Sequence, residues 1–274
     1  MKFVIARYYF DSLFRDVANK DFLDDLKKEP IIDEDLFVYA LGDFQPEHVN
    51  GYNFLRGTFG KIIKSESSKI YNKEKQEFID GQMNNKVLAT IEFLIHHESH
   101  LIFIEKSSKI EHETFKNKLI KIYEQNSIHP ASFKIDFVSD EKDIYKTLKT
   151  WDMVTKAVFK NLRPSNPDCN DTFKDIEELI KETKSNTANL ILKNDTKNIN
   201  SVQGLNIDSM LVREALSLSA HGYGEAKLEG TKEGEQVQVE TKRTVRKVEI
   251  NFDEDGALEN IVKIIEEVQQ YEKK

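Results

Sequence analysis

Apolar residues that alternate with polar ones predict several short β-strands in the first half of the chain. The clearest runs are 86–95 and 101–105, and the polar residues 96–100 between them predict a hairpin with a tip of about four residues. The same reasoning predicts strands at 2–10, 36–41, 52–64 and 132–138. Segments 42–50 and 65–85 are polar and have no clean period, so we expect loops there.

Apolar residues at helical spacing predict three helices in the same half. The first covers 13–29 and ends before Pro30, and the second runs from about 111 to the break at Pro130. The third follows Asp140, a residue type that caps helix N-termini. Between 86 and 138 the order is strand, strand, helix, strand, which is the order of a ferredoxin-like half.

The second half predicts a related series of elements. Asp208 is expected to cap a helix that turns Leu211, Ala215 and Leu218 inward. Further helices are predicted at 172–184 and from about 257, and strands at 153–162, 188–193, 226–228, 236–240 and 244–252. We therefore predict an α+β protein of two ferredoxin-like halves, with antiparallel sheets and helices packed on one face.

A domain boundary is predicted near Thr150, where the second series begins. It divides the chain into an N-terminal half, 1–150, and a C-terminal half, 151–274. The length of 274 residues also allows one domain, in which the halves share a single sheet system.

Composition excludes several classes of protein. Hydrophobic residues make up 39% of the chain, too many for a disordered protein. The one cysteine, Cys169, excludes a disulfide scaffold and a structural zinc site built from several cysteines. No run approaches the roughly 20 apolar residues of a membrane helix, and no secretory signal pattern begins the sequence. We expect a cytoplasmic protein with no membrane partner.

The formal net charge of −8 is unevenly distributed along the chain. The first 47 residues hold six basic and eleven acidic side chains. Two later stretches, 56–75 and 142–163, are locally basic, so a basic groove is compatible with the acidic total. Aromatic residues lie among the basic residues of the first stretch and could stack on bases. The alternative is that the lysines cover a solvated face and the aromatic side chains belong to the core.

The histidine-rich segment 96–100, His-His-Glu-Ser-His, has the wrong spacing for a zinc-protease helix. Its flanks are strands, so His96, Glu98 and His100 would share one face and could bind a metal only with a ligand from elsewhere. We expect a solvated hairpin tip, and no metal or other cofactor.

A loop bracketed by Pro164 and Pro167 joins a predicted strand to a predicted helix. Arg163 could bind phosphate there, Asn166 could form an Asx turn, and Cys169 near a helix N-terminus could be a nucleophile. No histidine is close in sequence to serve as its base. The alternative is a rigid connection with a helix cap.

The sequence Gly222-Tyr223-Gly224, with Gly230 after five intervening residues, follows a predicted helix and precedes a strand. Glycines in such a turn could expose backbone N–H groups to an anion. The alternative is ordinary glycine capping of a helix C-terminus. Neither a Walker loop nor a dinucleotide-binding fingerprint is present, because the required residues and element order are absent.

Two partial resemblances rest on these segments. The late helix followed by Gly222-Tyr223-Gly224 and Gly230 resembles the repeat-associated RNA-binding proteins of bacterial CRISPR systems, which implies a glycine-rich loop near RNA. The strand Arg-Gly-x-Phe-Gly at 56–60, the Pro-Ser-Asn-Pro loop and the Gly-Tyr-Gly turn are similar to an uncharacterised bacterial family of mobile or phage-defence loci. That second resemblance implies a context and no activity.

The leading hypothesis is therefore a non-enzymatic module that binds nucleic acid, with RNA favoured, in a bacterial phage-defence or mobile-element system. Phosphates would be bound by Arg56, Lys61 and Lys64. The rest of the groove would be formed by Arg163, Asn166, Gly222, Tyr223 and Gly224.

Two alternatives stay open. One is a protein-interaction subunit, a possible homo-oligomer, that senses or inhibits the product of a neighbouring gene. The other is a metal-dependent nuclease that uses the 96–100 tip with remote carboxylates. No catalytic or metal-binding residue is predicted for the leading hypothesis.

Overall fold

The computed structural model describes residues 1–11, 15–72, 77–129, 131–164, 174–194, 204–250 and 258–272. These residues form an α+β protein in which every strand pair is antiparallel. The strands are β1 (Lys2–Asp11), β2 (Ile31–Asp33), β3 (Phe37–Val49), β4 (Tyr52–Asn72), β5 (Glu77–His96), β6 (Leu101–Glu105), β7 (Ser132–Phe137), β8 (Met153–Leu162), β9 (Ala188–Lys193), β10 (Glu225–Lys232), β11 (Glu235–Glu240) and β12 (Lys247–Glu249).

The helices lie between these strands in the sequence. They are α1 (Arg15–Lys28), α2 (His112–Asn126), α3 (Glu141–Lys149), α4 (Lys174–Glu182), α5 (Met210–Ala220) and α6 (Glu259–Glu272). A short 3-10 helix, Thr241–Arg243, follows β11. The predicted cap of α3 is confirmed, because the Asp140 carboxylate accepts a hydrogen bond of 3.1 Å from the Asp143 N–H.

Two sheets organise the fold. The larger has eight strands in the order β12-β1-β6-β5-β4-β3-β2, and β7 also pairs with β1. The smaller has four strands in the order β11-β10-β8-β9. The predicted boundary at 150 stays a prediction, and the structure adds that the chain returns to the first sheet through β12 after completing the second.

Both faces of the first sheet are covered. On one face, Tyr8, Phe59 and Phe115 belong to a core shared with α1 and α2. On the other face, Phe3 and Ile5 of β1 and Phe103 of β6 pack in a core with α6, and Ile261 and Ile265 are the fully buried residues of that helix. Strand β1 therefore alternates between two cores, which explains its long apolar run.

Among the described residues, the second sheet has a core on one face only. Ala157 and Phe159 of β8 are buried with Ile176 of α4 and Leu216 of α5. Along β9, intermediate and exposed positions alternate strictly, as expected for a strand with one covered face and one open face.

The predicted loops at 42–50 and 65–85 are wrong. Strand β3 continues to Val49, and β4 and β5 pair from Phe54↔His96 out to Asn72↔Glu77. Beyond Ile63, the last β4 residue paired with β3, the two strands pair only with each other among the described residues. The sequence of this segment is polar and lacks the apolar alternation by which a strand is identified, so it indicated a loop.

Two predictions in the second half also need correction. Helix α5 has Ser209 at its N-cap instead of Asp208, and Leu211 is exposed because the buried stripe is formed by Val212, Ala215 and Leu216. Within the described part of the strand predicted at 244–252, only the three residues of β12 form a strand, because β7 occupies the same edge of β1 from Ala6 onward. Residues 251–252 lie outside the described residues.

Candidate nucleic-acid interface

The open face of the second sheet is built by strand alternation. Positions that alternate with the buried Ala157 and Phe159 are Lys156, Val158 and Lys160. The strand pairing aligns their neighbours in rows across the sheet, which are Lys193–Lys156–Glu229, Ile191–Val158–Lys227–Glu240 and Lys160–Glu225. Each row therefore brings at least one lysine to the open face, which is called the lysine face below.

A shallow depression of about 450 Å³ lies on the lysine face. Five lysines and three glutamates are among the residues that line it: Lys156, Lys160, Lys193, Lys227, Lys242, Glu225, Glu229 and Glu240. Cations exceed anions by two in a chain whose formal net charge is −8, so this surface is more positive than the protein average. None of the described residues that line the depression is aromatic.

Two of the glutamates hold some of the lysines in ion pairs. Glu229 lies 3.1 Å from Lys156 and 3.1 Å from Lys227, and the hydrogen bonds from these ammonium groups lower the pKa of the Glu229 carboxyl. Glu240 lies 3.8 Å from Lys227 and 3.6 Å from Lys242. These pairs fix the positions of three lysines and partly neutralise them.

Lys160 and Lys193 differ from the other three lysines. Both are exposed, and neither forms an ion pair with a carboxylate of the described residues. They stand on the neighbouring strands β8 and β9, one on each side of Val158 and Ile191. An anionic ligand would find its least compensated cations at these two positions.

The three residues predicted to bind phosphate on β4 lie on the first sheet and have partners there. Arg56 donates to both carboxylate oxygens of Glu92 at 2.8 and 2.9 Å. The Lys61 ammonium lies 4.1 Å from the centre of the Phe37 ring, and Lys64 forms an ion pair with Asp33. These contacts compensate their charges, and a role in phosphate binding stays a prediction.

The Gly-Tyr-Gly turn is packed into a buried junction between the two sheets. Gly222 has φ +80°, and a Cβ added to it would lie 3.0 Å from the Cβ of Arg7. The Arg7 Nε–H donates to the His221 carbonyl at 3.0 Å, and its guanidinium lies 4.4 Å from the centre of the Tyr223 ring. Gly222 is therefore needed for the close approach of β1 to the end of α5.

Arg163 completes this junction from the end of β8. Its guanidinium donates to the Asp136 carboxylate at 2.8 Å and to the Gly222 carbonyl, and it stacks on the Tyr9 ring. Arg163 is 6% exposed and Tyr223 is 4% exposed. The structure thus brings Arg163 together with Gly222, Tyr223 and Gly224, as predicted, but in a cluster of internal contacts.

The remaining candidate residues of the Pro-bracketed loop, Asn166 and Cys169, lie outside the described residues. Their predicted roles are therefore neither confirmed nor contradicted by the structure.

The expected solvated hairpin tip at 96–100 is wrong. The hairpin itself is confirmed, but His96 is fully buried, and its Nδ1 lies 2.7 Å from the Ser99 hydroxyl. The Tyr8 hydroxyl lies 2.8 Å from Nδ1 of His97. Burial lowers the pKa of both histidines and raises the pKa of Tyr8. Among the described residues, no three His, Cys, Asp or Glu side chains are placed to hold a metal ion.

A second cleft, of about 430 Å³, receives the other lysines of the basic stretch 142–163. Lys142, Lys146 and Lys149 of α3 line it together with acidic residues. Burial raises the pKa of Tyr145, which also lines it, to about 12. The stretch that looked continuous in sequence is therefore divided between this cleft and the lysine face.

Comparison with known families places the chain in one of them. Residues 6–268 match the family described as a domain of unknown function, DUF4747. The chain belongs to this family. No curated protein matches it.

Sequence reasoning did not identify the five lysines of the lysine face as a site. None of the five was among the predicted binding residues, and only Lys156 and Lys160 lay in a predicted basic stretch. Lys193 and Lys227 are brought to the face by strand pairing, and Lys242 by the 3-10 helix that follows β11. Lys193 could have been found from the alternation of β9. It lies two residues after the exposed Ile191 and therefore on the same face of the strand. In the part of the chain that the structure describes, no helix is long and apolar enough to cross a membrane.

Proposed function

We propose that this DUF4747 protein binds nucleic acid, with RNA favoured, on the lysine face of its second sheet. The observation that carries the proposal is the pair of exposed lysines, Lys160 and Lys193, on a sheet face that has an excess of cations in an acidic protein. Lysines that neutralise phosphates release counterions, which is the main source of sequence-independent affinity for nucleic acids.

The composition of the lysine face favours contact with the backbone of a single strand over base recognition. It has ammonium groups for phosphates, with Val158 and Ile191 between them. Its described lining includes no aromatic ring on which a base could stack. Four-stranded sheets serve as platforms for single-stranded RNA in common binding modules. We therefore expect little dependence on sequence.

The proposal also includes the architecture of the two halves, the biological setting and the cellular location. The two ferredoxin-like halves are supported by helices on one face of the second sheet, although its strand order is β11-β10-β8-β9. The bacterial phage-defence or mobile-element setting is supported by the sequence resemblance, and the cytoplasmic location by composition.

Fluorescence anisotropy with a labelled single-stranded RNA of mixed sequence tests the proposal. The variant Lys160→Glu/Lys193→Glu should bind more weakly than the wild type. The slope of log affinity against log salt should become shallower by about 0.7 for each lysine that contacts a phosphate. The matched control is Lys20→Glu/Lys263→Glu, which makes the same change in net charge at exposed positions on α1 and α6.

The experiment tests separately whether the protein binds nucleic acid and whether the lysine face is the binding surface. Absence of binding to RNA and DNA at low salt would overturn the proposed function. Binding that the two double variants weaken equally would overturn the assignment to the lysine face. Tighter binding of single-stranded DNA than of RNA would contradict the preference for RNA.

A further inference from the structure

The ion pairs of the lysine face join into one network of alternating charges. It begins on β8, where the Lys156 ammonium lies 3.1 Å from the Glu229 carboxylate of β10. Glu229 also lies 3.1 Å from Lys227, and Lys227 lies 3.8 Å from Glu240 at the end of β11. The network ends at the 3-10 helix, where Lys242 lies 3.6 Å from Glu240. Each of the two carboxylates therefore stands between two lysines.

The inner end of this network is fixed by buried contacts. The side chain of Glu240 is only 10% exposed, and the Arg243 Nε also lies 3.3 Å from its carboxylate. The next residue, Thr241, is buried, and its hydroxyl accepts a hydrogen bond of 3.0 Å from the Ala226 N–H. Its carbonyl accepts one of 2.7 Å from the Ser139 hydroxyl. The backbone that carries Glu240 is thus tied to both β10 and the end of β7.

The lysines of the network remain able to bind an anion. Their side chains are 34% exposed at Lys156, 40% at Lys227 and 54% at Lys242. An ammonium group has three N–H donors, so donors that do not point at a glutamate are open to water. Three lysines and two glutamates leave a formal charge of +1. A phosphate would therefore meet ammonium groups whose positions are already set.

A carboxylate in this network has two opposing effects on phosphate binding. A flexible lysine loses rotamer freedom when it binds a phosphate, which weakens binding by a factor of about 2–12 for each side chain. A glutamate that orders two lysines in advance removes part of this loss twice. The repulsion between carboxylate and phosphate is a factor of about three at a separation of roughly 6 Å in water, and less in salt. The ordering effect is therefore the larger one.

We propose that Glu229 and Glu240 are positioning residues of the nucleic-acid site, which hold three lysines of the lysine face in the arrangement that binds the phosphates of a single strand. The inference rests on the proposed function and adds that two acidic side chains strengthen the binding of an anion. Net charge alone predicts the opposite, since every glutamate on the lysine face would then weaken binding.

The variant Glu229→Gln tests the proposal by fluorescence anisotropy with the labelled single-stranded RNA. Glutamine keeps the size of the side chain and removes its charge, so Lys156 and Lys227 lose their ion pair. We expect binding about three- to tenfold weaker than that of the wild type. Urea denaturation should show both proteins folded under the conditions of the titration.

The matched control is Glu225→Gln. It removes one negative charge from the same face, at a residue that forms no ion pair with a lysine or arginine of the described residues. Because only repulsion is lost, this variant should bind RNA as tightly as the wild type or up to about threefold more tightly. The two glutamate variants therefore change affinity in opposite directions although they make the same change in charge.

A double-mutant cycle separates positioning from a general structural role. In a Lys156→Gln/Lys227→Gln background, Glu229 has neither of its lysines left to position. Glu229→Gln should then leave the affinity unchanged or raise it, whereas a structural role would weaken binding in both backgrounds. The cycle is measured at a salt concentration low enough for the background variant to bind.

The possible results distinguish this proposal from the proposed function. Binding by Glu229→Gln as tight as that of the wild type, or tighter, would overturn the positioning role and leave the lysine face as the binding surface. Weakening of equal size in both backgrounds of the cycle would also overturn it. A wild-type protein that binds neither RNA nor DNA at low salt would instead overturn the proposed function itself.

Discussion

Asp136 is expected to contribute more to stability than the exposed carboxylates, because its partner is a buried arginine at the junction of the two sheets. Asp136 on β7 accepts from Arg163, and the Arg7 and Arg163 guanidinium groups both lie against the Tyr223 ring. An ion pair removed from water needs both partners, because either charge alone would remain desolvated. The pair therefore specifies how the two sheets meet.

We predict that Arg163→Met destabilises the protein by about 2–4 kcal/mol, because it leaves the Asp136 carboxylate, only 14% exposed, without its cation and the Gly222 carbonyl without its donor. Urea denaturation followed by circular dichroism measures the change. The exposed Lys160→Met is the control and should change the unfolding free energy by less than about 0.5 kcal/mol. If Arg163 serves only to contact RNA, the two variants will be equally stable and will differ in affinity alone.

The buried histidines at the β5–β6 turn make stability depend on pH. Their pKa values are lower in the folded protein than the ordinary value of 6.5, because burial disfavours the charged ring. Below pH 6.5 the unfolded chain therefore binds more protons than the folded one, and the free energy of unfolding falls as the pH falls. The carboxyl groups of Glu34 and Glu229 also have lowered pKa values. Their effect on the free energy of unfolding develops near and below their ordinary pKa of 4.5, which is a more acidic range than that of the histidines.

We predict that the free energy of unfolding decreases between pH 7.5 and pH 5.5, and that His96→Asn makes this decrease smaller. Asparagine offers an acceptor for Ser99 but no group that titrates in this range. Urea denaturation at a series of pH values measures both slopes. A wild-type slope of zero, or a slope that His96→Asn leaves unchanged, would contradict the assignment of this effect to His96.

Among the secondary-structure elements, local sequence predicted those that have at least one buried face. The β5–β6 hairpin, α2, β7 and α3 were confirmed because each has apolar residues at the period of its own geometry. The outer part of the β4–β5 hairpin was not predictable in this way, since its strands pair only with each other among the described residues. The polar sequence of 65–85 has no apolar period from which a strand could be predicted.

The candidate site was harder to predict than the elements, because strand pairing assembles it from distant parts of the chain. Lys156 and Lys193 face each other across neighbouring strands although 36 residues separate them in sequence. Arg7 meets His221 across 214 positions. Neither proximity follows from spacing along the chain, so the sequence could name basic stretches but could not show which lysines share a surface.

In the protein as a whole, the first sheet is completed by the last described elements of the chain. Helix α6 belongs to the core that contains Phe3, Ile5 and Phe103, and β12 pairs with β1. A fragment that ends at the predicted boundary of 150 lacks both. Its apolar face opposite α1 and α2 would be open to water, which is unfavourable by about 25 cal/mol for each Å² exposed.

We predict that fragment 1–150 alone exposes this face and binds the dye ANS strongly, whereas the full chain does not. Co-expression with fragment 151–274 should restore a soluble complex with little dye binding, because it supplies β12 and α6. Gel filtration and dye fluorescence provide the two measurements. A monomeric fragment 1–150 that unfolds cooperatively and binds no dye would show that the N-terminal half is an independent domain.

The return of the chain to β1 also sets an order of events on the ribosome. Residues Lys2–Val4 of β1 receive their outer neighbour only when Lys247–Glu249 have been made. At 5–20 residues per second, that delay is roughly 12–50 s. During this time the nascent N-terminal sheet has one apolar surface without its helix, so trigger-type chaperones that hold exposed apolar segments have a defined period in which to act. Early termination of translation would release a chain that still needs them.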